Sequence, residues 1–137
     1  MSRYEKYSPA AMDLLKMVQE IVRKENRNES RLEDLSRAIL ITAIPDLVAI
    51  AKENNTALNK DRLKRLYNEI ESQPELSTGT IHLTNEIRTV LDEAEKLAGN
   101  EKVSPEHIIH AAWPSIKGDI AQYFDAPPAP EEPTITL

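Results

Sequence analysis

The chain is expected to be all-α, folded as one compact bundle, and three features of its sequence predict this. Apolar residues recur at three- and four-residue spacings along most of its 137 residues. No segment alternates apolar and polar residues between hairpin turn pairs. Serine, threonine or asparagine stands ahead of most apolar stripes, often followed by proline, as helix starts require.

Ser8-Pro9 opens the first stripe, which runs through Ala11, Leu14, Leu15, Val18, Ile21 and Val22. Polar residues 25–30 interrupt it. Ser30 and Glu33 have the S-x-x-E spacing of a capping box, and Leu32, Leu35, Ile39 and Leu40 form a second helix. Pro45 opens a third with Leu47, Val48, Ile50 and Ala51. After an Asn54-Asn55-Thr56 loop, Asn59 caps a fourth helix carrying Leu63, Leu66, Tyr67 and Ile70. Residues 71–80, ESQPELSTGT, read as a polar connector. Thr84 caps a helix through Ile87, Val90, Leu91, Ala94, Leu97 and Ala98, and Gly99 stands where a left-handed C-cap belongs. Ser104-Pro105 start the next, through Ile108, Ile109 and Ala112. Trp113-Pro114 is expected to break it before a last helix with Ile116, Ile120, Ala121 and Phe124. From Asp125 the sequence DAPPAPEEPTITL reads as an extended linker or tail. The expected organisation is therefore a helical domain at 1–124 and a tail at 125–137.

The pattern repeats internally. Ser8, Leu14, Leu15, Val18 and Ile21 lie over Thr84, Val90, Leu91, Ala94 and Leu97 at an offset of 76; Glu33 and Asp34 lie over Glu106 and His107 at an offset of 73. A matched series of cap, helix, loop, cap and helix points to a duplication, with about four helices in the first copy and three to four in the second.

Composition removes several classes of function. With 23 acidic against 17 basic residues the net charge is −6, and no Lys/Arg-dense run offers a phosphate-binding face, so nucleic acid is not an expected partner. The absence of cysteine excludes disulfides, thiolate metal sites and cysteine nucleophiles, and suits the cytoplasm. No apolar run reaches the ~18 residues of a membrane span. The glycines, Gly79, Gly99 and Gly118, build no phosphate loop, and no nucleophile elbow or cofactor fingerprint occurs. No catalytic residue, cofactor or enzymatic activity is expected.

The stretch VSPEHIIHAA, residues 103–112, holds His107 and His110 behind Glu106. Two histidines three apart share a helix face and could touch one metal, but a stable zinc centre takes three or four ligands and the order E-H-I-I-H is not that of a zinc protease. No metal is expected. At the second position of a helix, Glu106 is favoured by the helix dipole by roughly 0.3–1 kcal/mol, and Glu33 has its own place in the capping box.

Thr84 to Ala98, followed by VSPEHIIHAA, resembles the repeat of Clp-type unfoldase amino-terminal domains. There a capped helix with L-x-x-A is followed by a short polar loop and an S/T-x-EH element with an aliphatic run. In the first copy Glu33 keeps its place while Asp34 stands where the family has histidine. IPDLVAIAKENNTALNKDRLKRLYNEI looks like the family's third and fourth helices, and the resemblance spans roughly residues 4–124. It implies two pseudo-twofold-related repeats forming a monomeric, non-catalytic module on a linker. Such a module docks protein substrates or adaptor proteins above ATPase rings, whether in the same chain or another. It also implies that Glu33 and Glu106 contact the guanidinium of phosphorylated arginine, as in some Clp unfoldases. The alternatives are a stand-alone helical regulatory protein that binds a partner helix, or a small metalloprotein built on Glu106, His107 and His110.

Overall fold

Ser8 caps as its position ahead of Pro9 predicts: its Oγ accepts from the Ala11 amide at 3.1 Å, and α1 runs from Pro9 to Lys24. The computed structural model describes residues 3–76 and 80–125, with side chains from Glu5 onward; Gly79 and all of the expected 125–137 tail but Asp125 lie outside the described residues. After a 3₁₀ turn (Arg3–Lys6) and α1 come β1 (Glu29–Ser30), α2 (Leu32–Thr42), α3 (Ile44–Glu53), α4 (Lys60–Glu71), β2 (His82–Leu83), α5 (Asn85–Ala98) and α6 (Pro105–Ala121). The protein is mainly helical and compact.

Two further local signals act at the residues that carry them, whereas Thr84, at the N-cap of α5, makes no capping bond through its hydroxyl. Asn59 Oδ1 accepts from the Arg62 amide at 3.0 Å to start α4, and Asn55 takes a positive φ of 53° in the preceding loop. Gly99 closes α5 at φ 59°, its amide bonded to the Glu95 carbonyl at 3.1 Å. The apolar stripes form one core. α2 and α6 lie at its centre, with Leu35, Ala38 and Ile39 facing Ile108, Ala112 and Ile116, all fully buried. α1 packs on α2, α5 on α6, and α4 on α2.

Two other local expectations are displaced. Pro114 does not end a helix; α6 continues through it to Ala121, so the second copy has two helices among the described residues. A proline inside a helix costs about 3 kcal/mol or more. Ile116 and Ile120, both fully buried beyond it, return roughly 1.5–3 kcal/mol each by staying in register with Ile109 and Ala112. Pro114 and His110, one turn apart, both face solvent, where the carbonyl freed by the proline can be hydrated. The capping box of α2 also sits one residue later than the S-x-x-E spacing suggests. Arg31 is the N-cap, and its amide donates to Asp34 Oδ2 at 2.8 Å. Ser30 is instead buried in β1, its Oγ donating to the His82 carbonyl at 3.3 Å.

Backbone pairing ties the two copies together crosswise. β1 pairs in parallel with β2, Ser30 opposite Leu83, and Tyr7 pairs in parallel with Val103. Leu83 stands 76 residues after Tyr7, and Val103 stands 73 after Ser30, the two offsets of the duplication. The segment before the first helix of each copy thus pairs with the segment before the second helix of the other. The chain ends its described course tied to the first copy, with Leu58 bridged to Phe124 and the Asp125 amide bonded to the Ala57 carbonyl at 2.8 Å.

Candidate functional site

Asp34 and His107, which differ in chemistry, do one structural job. Each is the third residue of its helix and accepts from the backbone amide of its N-cap. Asp34 Oδ2 bonds Arg31 N at 2.8 Å, and His107 Nδ1 bonds Ser104 N at 3.0 Å. The amide must donate, so Nδ1 carries no hydrogen and the neutral ring is protonated at Nε2. Ser104 Oγ lies 3.1 Å from the same nitrogen.

The aspartate brings a charge that the histidine does not, and the fold answers it. Arg27, in the loop after α1, forks onto Asp34 through Nη1 (3.0 Å) and Nη2 (2.5 Å), while its Nη1 also reaches the Glu29 carbonyl at 2.9 Å. The same guanidinium meets Glu25 Oε1 through Nε (3.0 Å) and Nη2 (2.5 Å), and Arg37 holds Glu25 Oε2 at 2.7 Å. The hydrogen bonds to Asp34, and after them those to Glu25, raise the Arg27 pKa against the opposing effect of burial. Burial alone would raise Glu25; the hydrogen bonds and charges of Arg27 and Arg37 outweigh it and hold the carboxyl below its ordinary 4.5.

Glu33 and Glu106 each precede these N3 residues, at the second position of α2 and α6. Both are exposed, and neither has an ion-pair partner among the described residues. The structure does not bring them together. Ser36, three residues after Glu33 on the same face, lies 3.4 Å from Asp119 Oδ2 near the end of α6. Glu106, at the start of α6, acts instead on Asp46 just beyond the end of α2. The two helices therefore run antiparallel, and the 13 residues from Glu106 to Asp119 alone span about 20 Å.

Asp46, from the other copy, lies near Glu106, and its equivalent Asp119 lies against Ser36, which follows Glu33 by three residues; Asp46 and Asp119 differ by 73, as Glu33 and Glu106 do. Burial, and next the charge of Glu106, push the Asp46 carboxyl above its ordinary 3.8. The arrangement is two twofold-related acidic positions, each able to accept from a planar donor such as a guanidinium. The aspartates went unnoticed in the sequence, although applying the 73-residue offset to Asp46 finds Asp119.

Among the described residues no group of three or more His, Cys, Asp and Glu side chains is placed to hold a metal ion. His107 spends Nδ1 on its own helix cap, and His110 is exposed beside Pro114. Among the described residues, no helix is long and apolar enough to cross a membrane.

A second feature comes from stripes that looked like core. Ile44 and Val48 on α3 and Tyr67 on α4 are 41% to 48% exposed and face an open groove of about 580 Å³, floored by Leu40, Ala51 and Leu63. Periodicity marked Val48 and Tyr67 as apolar-face residues; which faces stay uncovered depends on tertiary packing.

Comparison with known proteins gives a fold likeness. No protein-family model matches the chain, and no curated protein matches it. A solved structure reported under "Preliminary structural investigations of a malarial protein secretion system" is similar to it at 19% sequence identity and a TM-score of 0.61. The match covers 85% of this chain and 83% of that one. At that identity the similarity is one of fold.

Proposed function

We propose that the chain is a non-catalytic docking module of the Clp amino-terminal kind, presenting protein substrates or adaptors to an ATP-driven unfoldase in the cytoplasm. The observation that carries this reading is that Glu33 and Glu106 hold equivalent, exposed positions at the second residue of α2 and of α6. A duplicated fold presents the same unpaired, outward carboxylate twice, at the N-terminus of an equivalent helix. The similar solved structure from a protein secretion system accords with a role in handling polypeptides.

Arginine phosphate is the ligand class that the resemblance implies, and the geometry sets its stoichiometry. Sites about 20 Å apart cannot share one guanidinium, so each binds its own. Calorimetric titration with a phosphoarginine peptide should give two sites per chain. Glu33→Gln and Glu106→Gln should each remove one, and the double variant both. Binding unchanged in the double variant would refute the assignment. ATP turnover by the chain should be nil.

A further inference from the structure

We propose that the groove between α3 and α4 receives an amphipathic helix of a partner protein whose apolar face is flanked by carboxylates one turn apart. This holds whether or not the chain serves an unfoldase. The floor and walls are aliphatic and aromatic, and the volume of about 580 Å³ lies in the range of binding pockets, about 300–1,000 Å³. A groove between two helices suits the apolar stripe of a third.

The rim specifies charge. In a chain of net charge −6, this groove is lined by Lys52, Lys60 and Lys64 and by no acidic residue. Lys60 and Lys64 stand one turn apart on α4, about 5–6 Å, and like charges at that spacing oppose the helix. Neither has an ion-pair partner among the described residues. Carboxylates at i and i+4 of an incoming helix match the same spacing and relieve the repulsion.

The chain's own residues 126–137 fit less well. Their acids, Glu131 and Glu132, are adjacent, so on a helix they would point about 100° apart, and prolines flank them.

The test is an NMR titration of the full ¹⁵N-labelled chain with a 16-residue peptide carrying leucines at i, i+3, i+4 and i+7 and glutamates one turn apart beside them. A control peptide has lysines in place of the glutamates. The acidic peptide should shift amides of α3 and α4 and bind at least tenfold more tightly than the control. K60E/K64E should reverse that preference. Val48→Glu, at an exposed position, should abolish binding with the melting temperature retained. Several results would overturn the proposal: no binding, equal binding of both peptides, or shifts confined to other helices. So would a peptide of residues 126–137 shifting the same amides, which would assign the groove to the chain's own tail. Concentration-dependent shifts at α3 and α4 without peptide would assign it to a second copy.

Discussion

Replacing Arg27 by methionine should destabilise the fold far more than its place in a polar loop suggests. The side chain of Asp34 is 1% exposed, that of Arg27 18%, and the two share bonds of 3.0 and 2.5 Å. Arg27→Met leaves a buried carboxylate with the Arg31 amide as its remaining donor. Breaking a buried pair from one side costs roughly 3–5 kcal/mol, and partial hydration of Arg27 places this case near the lower limit, about 3 kcal/mol. For a chain of this size that is a fall in melting temperature of about 10 °C. Thermal and urea unfolding followed by circular dichroism at neutral pH would measure it. Arg37→Met is the control, because Arg37 and Glu25 are each 36% exposed and such pairs contribute about 0–1 kcal/mol. Arg27→Met combined with Asp34→Asn should be less damaging than the sum of the single variants, since no buried charge is then stranded. A loss below 1 kcal/mol for Arg27→Met, or strict additivity in the double variant, would refute this account of the cap.

Other outcomes follow from single residues. Gly99→Ala should cost about 1–3 kcal/mol, because φ 59° with ψ −115° strains any side chain even with nothing within 4 Å of its Cβ. Gly118→Ala, inside α6 with the same open surroundings, should stabilise by about 0.4–1 kcal/mol. Asp46 titrates higher in the folded than in the unfolded chain, so its favourable contribution is complete below 3.8 and is lost as pH rises through the raised value. Asp46→Asn should therefore be the more stable protein at neutral pH. In Glu106→Gln, carbon-detected titration should show Asp46 lower than in the parent yet still above 3.8, because burial is the larger cause. Glu25 has the opposite sign: its contribution is present above 4.5 and lost as pH falls through the lowered value, so Glu25→Gln should flatten the acid side of the stability profile.

What the sequence disclosed was what acts within one helical turn. The caps at Ser8 and Asn59 and the left-handed Gly99 work through neighbours three or four residues away, and the apolar stripes name most of the core because a helix face is fixed by spacing, although Val48, Tyr67 and Leu97 in those stripes stay exposed. Long-range partners decided the rest. Ser30 could have capped α2, but pairing with His82, 52 residues on, claimed its hydroxyl and moved the cap to Arg31. Pro114 is a local stop signal overridden by the burial of Ile116 and Ile120. Arg27 read as loop polarity because its partner, Asp34, is defined by the path of the loop. Glu33 and Glu106 were legible through the duplication; that they lie at opposite ends of an antiparallel pair was not, since spacing says nothing of how α2 meets α6.

The docking reading is tested most directly by transplanting the chain. Fused ahead of the ATPase rings of a Clp-type unfoldase stripped of its own amino-terminal domain, the 137-residue chain should raise the rate of ATP-dependent unfolding of a phosphoarginine-bearing substrate above that of the stripped rings. The Glu33→Gln/Glu106→Gln form should lose that gain. A fusion no faster than the stripped rings, with the chain folded and ATP hydrolysis intact, would contradict it.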